Sequence, residues 1–136
     1  MTLKELLNTN DRFAASNGIS LVEIKEGYAR AVMTVEERHL NGAGVCQGGA
    51  LFTLADLTLA GASNSHGKLC LGINCQMHYI SSARLGDRLT AECHELSSRK
   101  IPVLESKIFN QDGILIASMT GECYKKDQPF EYDSLC

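Results

Sequence analysis

Apolar positions follow a helical period in only two stretches of this chain. In the first, Leu3, Leu6 and Leu7 share one face, Phe13 extends it, and Thr2 or Thr9 can cap it, which predicts a short N-terminal helix. The second runs from residue 48 to about residue 63, where small and apolar residues fill nearly every position and predict one helix buried on most sides, with Gly48, Gly49 and Gly61 marking its ends. Elsewhere the period is two. Residues 19–24 and 28–35 flank Glu26-Gly27 and predict a hairpin, and four further strands are expected over residues 69–81, 88–97, 101–110 and 114–124. Gln111-Asp112-Gly113 between the last two is a hairpin turn signal.

The predicted order is helix, two strands, long helix, four strands. That order suits an α+β domain in which an antiparallel sheet wraps a central helix, and it does not suit parallel βαβ units. The 136 residues fit a single domain over residues 1–124, and residues 125–136, with little periodicity, are expected to lie as an irregular tail on the surface.

Charge narrows the function classes. With 13 basic and 16 acidic residues the formal charge is -3, so nucleic acid and anionic membranes are not expected partners and any anionic ligand must be met locally. No run of apolar residues is long enough to span a bilayer, and residues 1–10 carry no secretory pattern, which makes a cytoplasmic location the expectation. The six cysteines include no CxxC pair, so neither a zinc site nor a disulfide framework is expected. Cys46 is the one thiol placed beside a candidate site, with His39 as its sole nearby histidine, so a nucleophilic role has to be weighed against simple burial.

The segment before the long helix carries the chemistry. Two glycines between residues 36 and 47, Gly42 and Gly44, followed by Gly48-Gly49, allow backbone to approach a ligand closely. At a helix start the first N–H groups lack intrahelical acceptors and sit at the positive end of the dipole, so Gly48 and Gly49 can hold an oxyanion. Inside that helix stands Asp56, an acid among Leu54, Ala55, Leu57 and Leu59. A buried unpaired carboxylate is costly, so either a Thr53 or Thr58 hydroxyl satisfies Asp56 or the acid serves function. Eight residues separate Gly48 from Asp56, about 12 Å along a helix, which is too far for both to reach one reacting atom. Two copies packed antiparallel about a two-fold axis would bring Asp56 of one opposite Gly48 of the other, so an obligate dimer is expected.

The residues His39-Leu40-Asn41-Gly42, Gln47-Gly48-Gly49 and Leu54-Ala55-Asp56 closely resemble the hotdog-fold acyl-CoA thioesterases of the phenylacetic-acid-degradation type. The likeness extends from about Leu3 to Tyr124 and takes in Asn64-Ser65-His66-Gly67, Tyr79 and Leu85-Gly86-Asp87. It implies a hotdog fold, a long helix held in a curled sheet, with protomers paired into a homodimer or a dimer of dimers and sites at the subunit interface. It also implies hydrolysis of an aryl or short-to-medium acyl-CoA, with coenzyme A entering as part of the substrate and no separate cofactor or metal. Asp56 would be the base or nucleophile, the Gly48 N–H the oxyanion donor, and Asn41 the group that orients the nucleophile or water from the opposite protomer. Ser98, Arg99 and Lys100 would lie near the coenzyme A phosphates beside Gly49 of the site, with Arg84 and Arg88 as further cations, although solvated surface charge explains each equally well.

One departure from the family pattern matters. Its members usually carry His immediately before Gly-Gly, whereas this chain has Gln47, which hydrogen-bonds but does not titrate near neutral pH. The turn at Ser81-Ser82-Ala83 also lacks a proline common there. A hydrolase is therefore weighed against a non-catalytic acyl-CoA-binding module, and a dehydratase is disfavoured because it needs the missing histidine. His66, His78 and His94 show no ligand spacing and read as strand or turn residues.

Overall fold

A computed structural model describes residues Met1–Cys136. Helix α1 spans Leu3–Asn10 and opens with a reciprocal cap, in which Thr2 accepts from the Glu5 N–H and Glu5 accepts from the Thr2 N–H. Asp11 then ends α1 and caps a second helix, α2, over Arg12–Ser16, by accepting from the Ala14 N–H. The sequence pattern did not anticipate this break. It turns Phe13 away from the apolar face of α1, and the ring is 67% exposed.

Six strands form one antiparallel sheet: β1 Ser20–Lys25, β2 Tyr28–Thr34, β3 Lys68–Tyr79, β4 Arg88–Ser97, β5 Val103–Phe109 and β6 Leu115–Pro129. Their order is β1-β2-β4-β5-β6-β3. Between β2 and β3 the helix α3, Gly48–Ser63, lies against β1, β2, β4 and β5. Leu51, Leu54, Leu57 and Leu59 of α3 join Leu89, Leu104, Ile108, Ile116 and Met119 of the strands in the buried core. At mid-helix Thr58 donates to the Ala55 carbonyl and accepts from the buried Ser106 of β5, so both hydroxyls are satisfied inside.

The helix ends where Asn64 clamps it to β3. Its side-chain nitrogen donates to the Ala60 and Cys70 carbonyls while its oxygen accepts from the Cys70 N–H. One turn earlier Gly61 permits the closest approach of helix to sheet, since a Cβ there would lie 2.8 Å from the Ala29 Cβ and 3.2 Å from Leu21. A Gly61→Val replacement overpacks that contact and should lower the stability measured by urea unfolding by about 2–3 kcal/mol. Unchanged unfolding would mean that α3 can lift from the sheet.

The last residues correct the expectation of a loose, irregular tail after residue 124. Strand β6 continues to Pro129 because Lys125 and its neighbours still pair with β3. Beyond it the chain is tied down: Phe130, Tyr132 and Leu135 pack on the core, the Leu3 and Lys4 N–H groups donate to the Ser134 and Leu135 carbonyls, and the Tyr132 hydroxyl donates to the Asn64 carbonyl.

Strand β3, twelve residues long, is a sheet edge and carries the exposed apolar side chains Leu71 and Ile73. A long unpaired edge of this kind is a template for another strand. No helix of the chain is long and apolar enough to cross a membrane.

Candidate active site

The start of α3 is held by the loop before it. Buried His39 accepts from the Glu36 N–H at Nδ1, which leaves its Nε2–H to donate to the Asn17 carbonyl at 2.8 Å. Its own carbonyl accepts from the Gln47 N–H, and the Cys46 N–H donates to the Ala83 carbonyl. Asn41 shapes the turn by accepting from the Ala43 and Val45 N–H groups through Oδ1, so its amide nitrogen stays free. Gly44 takes the left-handed conformation that this turn requires, φ 77°.

Gln47 is the N-cap of α3. Its Oε1 accepts from the Ala50 N–H at 3.2 Å, and its Nε2 has no partner in the chain. Capping thus uses the acceptor of Gln47 and leaves its donor available. The next two N–H groups, of Gly48 and Gly49, make no hydrogen bond within the chain and point out of the helix start. Side chains cannot be added there freely. A Cβ at position 48 would sit 3.0 Å from the Tyr79 ring, whose hydroxyl donates to the Gly48 carbonyl, and a Cβ at position 49 would meet Gln47 Oε1 at 2.5 Å.

Two cavities, each of about 330 Å³, flank this helix start. Asn41, Cys46, Gly48, Leu51, Tyr79 and Ser82 contribute to the first. Gln47, Gly49 and Ala50 reach the second, together with Phe13, Arg38 and Leu40. Tyr79, Ser81, Ser82, Phe13 and Arg38 were not singled out from the sequence as site residues. Tyr79 sits at the end of β3 followed by two serines, a hydroxyl-rich strand end that is the one available hint.

Asp56 lies two turns further along α3 and borders neither cavity. The alternative that a threonine satisfies it does not hold, because Thr53 donates to the Gly49 carbonyl and Thr58 to Ala55. Asp56 accepts no hydrogen bond and opens toward solvent in the single chain. Desolvation by the surrounding packed atoms nevertheless holds its carboxyl above the usual carboxylate range, and the charge of Asp11 acts in the same sense. With exposed Gly49 and half-buried Phe52, Thr53 and Ala60, the acid marks a face of α3 that the sheet leaves uncovered.

Cys46 is a wall residue. Burial pushes its thiol up to about 11, and both ring nitrogens of His39 are already engaged, so neither a thiolate nor a base for it is present. Ser98, Arg99 and Lys100 stand in the exposed β4–β5 turn, where the Ser98 carbonyl accepts from Lys125 and the Lys100 ammonium lies 4.9 Å from the Tyr124 ring centre. They border neither cavity. Beside them the end of β4 meets the exit of α3, where His66 hydrogen-bonds Glu95 at 3.0 Å, so within one chain they lie at the far end of the helix from Gly48. His78 and His94 stand on β3 and β4, the latter ring tilted against Tyr28. No group of three or more His, Cys, Asp or Glu side chains converges to hold a metal ion.

Taken together, one chain supplies two free peptide donors with a cavity on each side, and an unpaired acid of raised pKa on an open helix face. Residues 43–117 match the thioesterase superfamily. The chain is 39% identical over 129 residues to a candidate esterase of Archaeoglobus fulgidus, spanning 94% of this chain and 84% of that protein. To the acyl-coenzyme A thioesterase PaaI of Escherichia coli it is 33% identical over 117 residues, 85% of this chain and 84% of the relative. The solved structure of the E. coli PaaI protein from the phenylacetic acid degradation operon superposes with a TM-score of 0.87 at 29% identity, over 96% of this chain and all of that one. The element order, the central helix in its antiparallel sheet and this likeness agree: the fold is the hotdog fold, and the chain belongs to the thioesterase superfamily.

Proposed function

We propose that this protein is an acyl-CoA thioesterase that hydrolyses an aryl or short-to-medium acyl-CoA at sites shared between two protomers. The observation that carries the reading is the pairing, on one helix, of unbonded Gly48 and Gly49 N–H groups with an unbonded acid of raised pKa. Thioester hydrolysis needs both parts: fixed donors at the carbonyl oxygen and a base or nucleophile at the carbon. The name of the E. coli relative, an acyl-coenzyme A thioesterase, points the same way.

Because Asp56 lies about 12 Å along α3 from Gly48, the acid acting at one Gly48 is the partner's Asp56. Antiparallel pairing along the free edge of β3 would set the uncovered faces of two α3 helices against each other and complete two equivalent sites. The same pairing would carry Ser98, Arg99 and Lys100 of one protomer toward the helix start of the other, where they would meet coenzyme A phosphates.

In the hydrolytic step the partner's Asp56 takes a proton from water as the oxygen adds to the thioester carbon. The oxygen of the tetrahedral intermediate gains the negative charge, and the N–H groups of Gly48 and Gly49 hold it. Reformation of the carbonyl breaks the carbon–sulfur bond and expels coenzyme A thiolate, which is stable enough to leave and then takes up a proton. If Asp56 attacks directly, the same donors serve an acyl anhydride intermediate that water opens. The free amide nitrogens of Asn41 and Gln47 orient the water and the thioester oxygen.

Thiol release from a panel of acetyl-, hexanoyl-, octanoyl-, benzoyl- and phenylacetyl-CoA tests the reading. Release with at least one of these supports a hydrolase. Binding of acyl-CoA without release would instead assign a binding module, with Gln47 in place of the family's histidine as the cause to examine first.

A further inference from the structure

We infer that His39 is a positioning residue for hydrolysis: its buried ring sets, through its own backbone carbonyl, the peptide from which the Gly48 N–H projects. The inference rests on the thioesterase reading above, in which that N–H holds the oxyanion. Residues 39–47 form a short hairpin that carries Asn41 near its tip and Gln47 at its second foot. The His39 carbonyl accepts from the Gln47 N–H at 2.7 Å, Leu40 bridges Cys46, and the Asn41 N–H donates to the Val45 carbonyl. One hairpin, with His39 as its first foot, therefore places Asn41, Gln47 and the Gly48 N–H together.

The ring is what fixes that foot. It is 3% exposed and joins two other segments: Nδ1 accepts from the Glu36 N–H at 2.9 Å just after β2, and the Nε2–H donates to the Asn17 carbonyl at 2.8 Å where α2 ends. Only a ring with its single hydrogen on Nε2 satisfies both, since a hydrogen on Nδ1 would face the Glu36 N–H. With both nitrogens engaged the ring does not meet substrate, and its use lies in geometry. The tie to Asn17 matters more than that to Glu36, because it spans 22 residues and binds the hairpin to α2, whereas Glu36 is three residues away on the same turn. Arg38 also reaches α2, at the Ser16 carbonyl, but from an exposed position where water competes. At the other foot the Gln47 carbonyl, which accepts from the Ala50 and Leu51 N–H groups, belongs to the same peptide as the Gly48 N–H. A shift of the His39 foot is thus passed to the direction of that donor. An oxyanion donor counts mainly in the transition state, so its misplacement lowers kcat and leaves KM.

His39→Asn and His39→Gln separate the two bonds. An asparagine amide falls near the place of Nδ1 and keeps the local contact with Glu36, whereas a glutamine amide reaches the place of Nε2 and keeps the tie to Asn17. With the best substrate of the panel above, well below each Tm, His39→Asn should lower kcat about 10²-fold with KM unchanged, the size of loss that a misplacement of about 1 Å produces. His39→Gln should return most of kcat. In parallel, amide hydrogen exchange should show the Gln47 N–H losing protection in His39→Asn and keeping it in His39→Gln, with Leu57 in mid-α3 protected in both. A lower Tm with parental kcat, equal losses of kcat in the two variants, or unaltered Gln47 protection in His39→Asn would overturn the inference. A parent that releases no thiol from any substrate defeats the hydrolase reading instead, and the exchange of Gln47 then still decides whether His39 sets that peptide.

Discussion

Replacing Asp56 by Asn should reduce kcat/KM for acyl-CoA by about 10³-fold or more, a loss of the size expected when a general base or nucleophile is removed. Asn keeps the shape of the side chain and can still hydrogen-bond, but it neither accepts the proton of water nor attacks a carbonyl. Stability should move the other way. The Asp56 carboxyl lies above its ordinary range in the folded chain, so between the unfolded and the folded pKa the native state holds more protons than the unfolded one. Its contribution therefore falls as pH rises through that interval, and at neutral pH the ionised acid works against folding. Asp56→Asn removes this cost, and its Tm at pH 7 should equal or exceed that of the parent, a trade of stability for function. The pH profile of the parent follows from the same shift: activity falls as pH drops through the raised pKa, above the usual carboxylate range. No second limb comes from position 47, because Gln47 does not titrate. A variant that turned over at the parental rate would remove Asp56 from the mechanism.

Mixing two inactive variants should restore activity if the sites are shared. Asp56→Asn lacks the acid and Asn41→Ala lacks a group at the helix start, so each homodimer carries two defective sites. In a mixed dimer one site draws Asn41 and Gly48 from the first variant and Asp56 from the second, and is whole; the other lacks both groups. Random reassortment at equal concentrations makes half the dimers mixed, each with one working site of two, so about one quarter of the parental activity should return. The measurement is thiol release after co-refolding, with each variant alone as control. If Asp56 and Asn41 served the same site within one chain, no mixture would recover, and the antiparallel pairing along β3 would have to be abandoned.

Most of the architecture was legible in the chain because the signals were local. The boundaries of α3 follow from its apolar composition, from Gln47 as the cap and from Asn64 as the exit, and the predicted residues 48–63 coincide with Gly48–Ser63. Strand β4 likewise spans the expected residues 88–97, since its buried positions alternate cleanly. The misreadings occurred where a local pattern competes with distant contacts. Asp11 splits the N-terminal helix by capping α2, a hydrogen bond that outweighs the weak pull of Phe13 toward the apolar face. The carboxy-terminal residues have no period of their own and are ordered by hydrogen bonds to Gly67 and to the opening residues of the chain, more than sixty positions away in sequence.

The candidate site divides along the same line. By itself the sequence determined the chemical inventory: a Gly-Gly helix start, an acid eight residues later, an asparagine and a glutamine in the loop between strand and helix, and the family these intervals resemble. Spacing along a helix is a fixed rise per residue, so the separation of Gly48 from Asp56 was already a structural statement. Only the tertiary structure decided which polar atoms remain free. It spends the hydroxyls of Thr53 and Thr58 elsewhere and leaves Asp56 bare, it uses one end of Gln47 and of Asn41 and frees the other, and it sets Tyr79 from the end of β3 over Gly48. It also opens two cavities at one helix start, walled by residues from α2, the β3 end and the preceding loop. Hydrogen-bond satisfaction and enclosed space depend on which segments meet in three dimensions, and no periodicity within a single segment encodes them.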